Sequence, residues 1–218
     1  MALAIFDLDN TLIAGDSDHS WGEFLIDQRK VNQSEYRAMN DKFLADYEAE
    51  NLDISAYLEF SLSPLINMAT NELNQLHEKF MDQVIDPMKL SQANELIEKH
   101  RQSGDRLLVI TATNRLVVEP IISSFGIDEF LATDPEIISG RVTGKVIGSP
   151  TFREGKVERL KDWLTENNES LEGSYFYSDS INDLPLLQEV DHPIAVDPDD
   201  ALHKESERRG WPIISLRN

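Results

Sequence analysis

A short apolar run near the start of the sequence ends directly in two carboxylates. Leu3 to Phe6 are all apolar, and Asp7 and Asp9 follow with one residue between them. A continuous apolar run of this length is typical of a strand buried on both faces, as in parallel sheets covered by helices. Side chains two residues apart in extended chain point the same way, so both carboxylates are predicted to lie together at the end of a central strand.

Further apolar runs recur along the chain, mostly separated by helix-like stretches. They lie at 107–110, 175–177, 194–196 and 213–214. Apolar residues at i, i+3 and i+7 indicate helices from Leu90 and from Val157. Strands that alternate with helices predict right-handed crossovers and an α/β fold with a doubly wound parallel sheet. A small hairpin or flap is predicted from 136 to 146, where glycines stand among β-branched residues.

One long segment lacks this alternation of strands and helices, because most of its apolar residues recur at helical spacing. Within residues 15–87, one set of apolar residues recurs from Tyr36 to Tyr47 at the spacing of a single helical face. We therefore expect residues 1–14 and 88–218 to form the α/β core, with 15–87 as a helical cap inserted after the first strand. A cap at this point would overhang the carboxyl ends of the strands, where such sheets bind ligands.

The balance of charge limits the possible partners. The chain has 20 Lys and Arg against 40 Asp and Glu, which gives a formal net charge of -20. This excess repels nucleic acid and anionic membrane surfaces, and no uncharged run approaches the roughly 18 residues of a spanning helix. We expect a small-molecule partner, no nucleic acid, no membrane, a cytoplasmic location and a monomer or homodimer. An anionic ligand would need local positive charge from a metal ion, a lysine and backbone donors.

A second acidic pair follows the apolar run at 175–177. Asp179 and Asp183 stand at the two ends of the segment Asp-Ser-Ile-Asn-Asp. Because parallel strands end on one side of a doubly wound sheet, this pair is predicted to approach Asp7 across the ligand crevice. Hard oxygen ligands in a compact site favour Mg²⁺, which takes one or two protein carboxylates and keeps several waters.

Other segments supply groups that suit a phosphate. Thr111 follows the second apolar run, and its hydroxyl and the next backbone N–H groups, beginning at Ala112, can hold phosphate oxygens. Lys156 stands at a predicted helix start and supplies the positive charge that the acidic surface makes necessary. Asn182 either contacts phosphate or caps a turn, and both alternatives stay open at this point.

Together these groups suit the transfer of a phosphoryl group to a carboxylate. Asp7 would attack phosphorus, Mg²⁺ and Lys156 would hold the equatorial oxygens, and Asp9 would protonate the leaving alcohol. A water activated by Asp9 would then hydrolyse the phosphoaspartate. Two other functions would use the same Asp7: a regulatory phosphoacceptor and a phosphomutase. A calcium loop is a third alternative, but Leu12 stands where such a loop needs glycine.

The chemical groups stand in the order of the four motifs of the haloacid dehalogenase superfamily, which the chain resembles over nearly its whole length. The matching residues are Asp7, Asp9 and Thr11, then Thr111, then Lys156, then Asp179 and Asp183. The resemblance implies that Asp7 is nucleophile and metal ligand, and that Asp9 is acid/base and binds metal through its backbone carbonyl. It further implies that Asp179 is a direct metal ligand and that Asp183 supports the metal shell.

The inserted segment is similar to the helical cap of the phosphoserine-phosphatase-like subgroup. There, an acidic residue nine positions after the nucleophile binds the substrate amine, and Asp16 occupies that place. Ser61 stands where phosphoserine enzymes carry an arginine for the substrate carboxylate. Residues 15–21, including the candidate pocket residue His19, and residues 111–115 are closer to the histidinol-phosphate phosphatases of this subgroup. We therefore expect an amine-bearing phosphomonoester, histidinol phosphate ahead of phosphoserine.

Overall fold

A computed structural model describes residues 2–66 and 68–217 as a seven-stranded sheet flanked by helices. Positions 1, 67 and 218, which the predicted core and cap include, lie outside the described residues. The strands are β1 Leu3–Phe6, β2 Arg106–Asn114, β3 Phe130–Ile138, β4 Arg141–Ile147, β5 Tyr175–Ser178, β6 His192–Val196 and β7 Ile213–Ile214. Their order is β4-β3-β2-β1-β5-β6-β7, and only the pair β3/β4 is antiparallel. The predicted α/β fold is confirmed.

Ten α-helices are described, and short polar side chains cap the first turns of several of them. The helices are α1 Ser17–Asp27, α2 Gln33–Glu48, α3 Ile54–Leu62, α4 Thr70–Phe80, α5 Asp86–Met88, α6 Ser91–Gln102, α7 Arg115–Ser123, α8 Glu154–Asn167, α9 Leu184–Leu187 and α10 Asp200–Arg209. Helical turns of other types lie at Ser63–Leu65, Met81–Ile85 and Ile181–Asp183. Asp16, Asn32 and Asp53 accept hydrogen bonds from the first-turn N–H groups of α1, α2 and α3. These helix starts are therefore encoded locally.

The strand β1 occupies the centre of the sheet. Ile5 lies opposite Leu108 of β2 on one side and Phe176 of β5 on the other. All four residues of β1 are buried, as predicted for a strand covered on both faces. Phe6 belongs to the apolar cluster on one face and Ile5 to the cluster on the other. Full burial of such a side chain contributes about 1.5–3 kcal/mol, so β1 is a main anchor of the core.

The helices between β1 and β2 share the core of the sheet. Trp21 and Phe24 of α1 and Phe80 of α4 belong to the same buried cluster as Phe6. The rings of Trp21 and Phe80 meet edge to face with centroids 5.0 Å apart. Since one apolar cluster runs across the predicted boundary, the division into a core and a cap at residues 15–87 stays a prediction. Within the described residues, no helix is both long and apolar enough to cross a membrane.

The strand β3 is the element that the apolar runs do not reveal. The predicted hairpin at 136–146 exists as the pair β3/β4, with Asp134 opposite Ile147. Its first strand, however, begins at Phe130 and joins the parallel sheet through β2. The hairpin reaches the inserted helices at Ile66, and a Cβ added to Gly144, whose φ is +86°, would lie 2.7 Å from that side chain. The positive φ favours glycine at this position, and a larger residue would also displace the end of the Ile66 side chain.

Candidate active site

A pocket opens beyond the ends of β1, β2 and β5, beneath α1, α2 and α3. Its charged and hydroxyl groups include Asp7, Asp9, Asp16, Asp18, Thr111, Thr113, Lys156 and Asp179. Its apolar and aromatic wall includes Phe43, Leu44, Tyr47, Leu52, Ile54, Tyr57 and Phe152. The pocket thus has a highly charged end at the strand termini and an apolar end among the helices, as expected of a site for a small ligand.

Lys156 joins acids from the two ends of the chain. Its Nζ lies 2.7 Å from Asp7 Oδ1 and 2.7 Å from Asp183 Oδ2, and the residue is only 3% exposed. The Ser178 hydroxyl donates to the same oxygen of Asp183 at 2.7 Å. Charge-assisted hydrogen bonds of this kind hold their partners in fixed positions. The structure therefore brings Asp7 and Asp183 to one buried ammonium, although Asp183 itself is not among the pocket-lining residues.

A tight turn before α8 places Lys156 at this point. The N–H of Gly155 donates to the Phe152 carbonyl at 2.9 Å. A Cβ added to Gly155 would lie 2.0 Å from the carbonyl oxygen of Pro150, a distance that no side chain can adopt. Glycine at position 155 is therefore required by close backbone contact, and the pair Gly155–Lys156 has a structural reason.

The side chain of Asp9 has its own set of hydrogen bonds. Its Oδ1 accepts from the Ser17 N–H at 2.6 Å, and its Oδ2 accepts from the hydroxyls of Thr113 at 3.0 Å and Thr111 at 3.5 Å. Burial, followed by the charge of Asp16, raises the pKa of Asp9 to about 6, although the bonds from Ser17 and Thr113 lower it. A carboxyl with such a pKa can carry a proton near neutral pH, as a general acid must.

The acids around Lys156 carry more negative charge than one ammonium neutralises. Burial raises the pKa of Asp7 to about 7 against the charge of Lys156, and the charges of Asp183 and Asp9 raise it further. Burial, followed by the charge of Asp7, raises the pKa of Asp179 well above its ordinary value. A divalent cation with hard oxygen ligands would relieve this excess, so the residues fit Mg²⁺. Asp7 and Asp179 both line the pocket and would hold the ion.

A different group of side chains also has metal-like spacing. Among residues 2–66 and 68–217, His19, Glu23 and Asp41 offer three ligand atoms within 4.8 Å of one another. The His19 Nε2 lies 3.0 Å from Asp41, whose side chain is 61% exposed. The guanidinium of Arg37 already pairs with Glu23 at 2.7 Å. Because Arg37 supplies positive charge here, we assign this group no ion. His19 lines the pocket, but its ring is directed to Asp41.

The predicted phosphate-binding residues are not all in the pocket. Ala112 lines it beside Thr111. Asn182 is not a lining residue, because its side-chain oxygen accepts from Arg153 Nε at 2.9 Å and its amide donates to the Tyr47 carbonyl at 3.3 Å. The structure thus places Asn182 between α2 and the loop before α8. Of its two predicted roles, this arrangement favours the structural one.

Sequence reasoning missed Asp18, a second acid at the start of α1. The residue is 8% exposed and lines the pocket. Burial raises its pKa to about 8, against a hydrogen bond with the Tyr57 hydroxyl of α3. Two positions earlier, Asp16 caps α1, because its Oδ1 accepts from the N–H groups of Asp18 and His19 at 2.9 and 2.8 Å. The only signal in the sequence was two acids at a helix start, which ordinary surface helices also show.

The sheet order and the acids gathered at its carboxyl edge define a hydrolase of one family. The family described as haloacid dehalogenase-like hydrolase matches residues 4–188, and the chain belongs to it. The histidinol-phosphatase of Neisseria meningitidis serogroup C (strain 8013) is 45% identical over 219 residues, which cover 99% of each chain.

Two solved structures extend the comparison. A protein with unknown function from Bordetella pertussis Tohama I has a TM-score of 0.93 at 42% identity, covering 99% of this chain and 98% of that one. A substrate-bound phosphoserine phosphatase complex has a TM-score of 0.72 at 18% identity, covering 99% of this chain and 93% of that one. The second likeness shows a shared fold.

Proposed function

We propose that the protein is a Mg²⁺-dependent phosphatase that hydrolyses histidinol phosphate through a phosphoaspartyl intermediate on Asp7. One observation carries the choice of substrate: the pocket lining contains Asp16 and Asp18 beyond the acids near Lys156, and it contains no arginine among the described residues. Such a pocket suits an ester that bears cationic groups and no carboxylate. The relative named histidinol-phosphatase, at 45% identity, supports the same choice.

In the first step the carboxylate of Asp7 attacks phosphorus, and the bond from phosphorus to the ester oxygen breaks. Lys156, at 2.7 Å from Asp7, fixes the direction of the nucleophile. Asp9 gives its proton to the leaving alcohol, which takes the electron pair of the broken bond. Asp7 and Asp179, with the backbone carbonyl of Asp9, would hold Mg²⁺, which supplies positive charge at the phosphate oxygens when bound. Thr111 lies at the same end of the pocket and would hold a phosphate oxygen.

In the second step the deprotonated Asp9 takes a proton from water, and the water oxygen attacks the phosphoaspartate. The bond between phosphorus and Asp7 breaks, which frees inorganic phosphate and restores the carboxylate. The bonds from Ser17 and Thr113 keep Asp9 in one orientation for both proton transfers. Since a stable phosphoacceptor gains nothing from a positioned base, Asp9 supports a hydrolase over that alternative. A phosphomutase stays the nearer alternative, with a sugar alcohol in place of water.

Phosphoserine is the second candidate substrate, because fold neighbours act on it by name. Its carboxylate would meet the negative charge of Asp16 in the same pocket, beside the buried acid Asp18. Like charges about 4 Å apart repel by roughly 4 kcal/mol at an effective dielectric near 20. Ser61 offers no compensation, since it is buried in α3 and its hydroxyl donates to the Leu58 carbonyl at 3.5 Å. The pocket therefore favours histidinol phosphate.

A phosphate-release assay with Mg²⁺ tests the proposal. We expect kcat/KM for histidinol phosphate to exceed that for phosphoserine by at least about 100-fold, because unpaired buried charges discriminate strongly. Sugar and nucleotide monoesters complete the panel, and Asp7→Asn is the inactive control. A preference for phosphoserine would refute histidinol phosphate as the proposed substrate. The absence of free phosphate from every ester would refute the proposed hydrolase activity. The cytoplasmic location and the monomer or homodimer stay proposals.

A further inference from the structure

Asp18 is a buried acid that the proposed mechanism does not use. It is 8% exposed and lines the pocket, and none of the ion pairs between described residues includes it. Tyr57 of α3 lines the same pocket, and its hydroxyl, which carries no charge, favours the ionised form of Asp18 and so lowers its pKa against the effect of burial. Burying a carboxyl group without a cation costs folding free energy. The burial of such a side chain in a ligand pocket is explained if a cationic ligand supplies the missing ion-pair partner.

The acids of the pocket form a series that leads away from the reaction centre. The Oδ1 of Asp16 accepts from the Asp18 N–H at 2.9 Å, so these two acids are neighbours at the start of α1. Asp16 caps α1 beside Ser17, whose N–H binds Asp9, whereas Asp18 faces α3. The order is therefore Asp9, Asp16, Asp18. Histidinol phosphate carries its groups in a matching order: the phosphate, then the amine on the second carbon, then the imidazole beyond the third.

We propose that Asp18 and Tyr57 bind the imidazole ring of the substrate, while Asp16 binds its amine; this assignment rests on the proposed function. A ring N–H donates to the Asp18 carboxylate, and the protonated ring forms an ion pair with it. Phe43 and Tyr57 line the same end of the pocket and supply apolar and aromatic contact for the ring. Asp18 is then a specificity residue, distinct from the groups that act on phosphorus.

Asp18→Asn, assayed on two esters, separates this role from catalysis. The esters are histidinol phosphate and phosphoethanolamine, which shares the phosphate and the amine but lacks the ring. We expect kcat/KM for histidinol phosphate to fall at least about 30-fold, mainly through KM, because one partner of a buried ion pair is lost. For phosphoethanolamine we expect less than about 3-fold change. The matched control Asp16→Asn should lower kcat/KM for both esters. Tyr57→Phe should lower kcat/KM for histidinol phosphate selectively, as Asp18→Asn does, but by a smaller factor.

Binding without turnover gives an independent readout. Histidinol, which has no phosphate, should raise the melting temperature of the wild-type protein and leave that of Asp18→Asn unchanged. The melting temperature of the free variant should not fall, because the substitution removes an unpaired buried acid. If Asp18→Asn fails to fold, Tyr57→Phe on the same two esters decides the matter.

The outcomes distinguish the two proposals. A wild-type enzyme that hydrolyses 4-nitrophenyl phosphate but not histidinol phosphate overturns the proposed substrate. Asp18→Asn that keeps wild-type kcat/KM on histidinol phosphate, or that loses activity equally on both esters, overturns the role of Asp18 and leaves the phosphatase intact.

Discussion

Lys156 is the residue on which the geometry of the reaction centre depends. Its ammonium bonds both Asp7 and Asp183 inside the protein. Lys156→Met would leave two carboxylates buried without a cation, so we expect the free energy of unfolding to fall by about 3–5 kcal/mol. Phosphate release should be lost as well. Urea unfolding monitored by fluorescence and the phosphate assay measure the two effects.

A second substitution checks the reason for that loss. Adding Asp183→Asn to Lys156→Met removes one of the uncompensated charges, so part of the stability should return while activity stays absent. Equal stability of the single and double variants would show that the ion pairs are not the cause.

Asp9 serves two steps in the proposed mechanism, and a good leaving group separates them. With 4-nitrophenyl phosphate the leaving group needs little protonation, so Asp9→Asn should still form the phosphoaspartate. We expect a rapid release of about one equivalent of nitrophenolate, followed by turnover slowed about 10²–10⁴-fold. Rapid-quench measurements follow the burst, and Asp7→Asn should show none. Slow turnover of Asp9→Asn without a burst would contradict the two roles.

At the level of elements, the loop between β4 and α8 combines backbone strain with a contact to the segment that follows α2. Arg153 has φ 51° and ψ -119°, and its guanidinium donates to the Asn182 side chain and to the Glu50 carbonyl. Arg153→Ala would lose both bonds and keep the strain, whereas Arg153→Gly would lose the bonds but relieve the strain. We expect the glycine variant to be more stable by about 1 kcal/mol in urea unfolding. The reverse order would mean that the backbone there is unstrained.

Among the strands, local pattern was sufficient for most and failed at the start of the hairpin. The strands β1, β2, β5, β6 and β7 lie where apolar runs predicted them, and all but the edge strand β7 have a neighbouring strand on both sides. β3 was missed because it contains Thr133, Asp134 and Pro135. Asp134 is accommodated only since Arg115 of α7 and Arg159 of α8 both pair with it. Ion pairs between residues so far apart in the sequence produce no periodic pattern from which the strand could be predicted.

The same limit applies to the pocket. Motif spacing was sufficient to place the acids near Lys156, because parallel strands end on one edge of the sheet. Asp18 could not be recognised in this way, since its burial depends on Tyr57 of α3, 39 positions further along the chain. For Asn182 the sequence left two roles open, phosphate contact or a turn cap, and long-range contacts with Arg153 and Tyr47 favour the structural one.

For the whole molecule, the proposed ion should couple activity to stability. Removal of Mg²⁺ with a chelator should abolish phosphate release and lower the melting temperature, because the buried acids then repel one another. Mg²⁺ at 100 times its dissociation constant should add about 2.7 kcal/mol of stability. Calorimetry measures the shift.

Two variants locate the ion that causes this shift. Asp179→Asn should lose most of the stabilisation by Mg²⁺, because Asp179 lies in the charged end of the pocket. Glu23→Gln should keep it, because we assign no ion to the group around His19. If Glu23→Gln alone lost the rise in melting temperature with Mg²⁺, the metal site would have to be assigned to that group instead.

The central position of β1 has a consequence for how the chain is made. Residue 4 pairs with residue 107 on one side and with residue 175 on the other. At about 5–20 residues per second, the last of these partners leaves the ribosome roughly 10 to 30 seconds after β1. For that time β1 can pair only with β2, so the sheet around the nucleophile-bearing segment is completed late in synthesis.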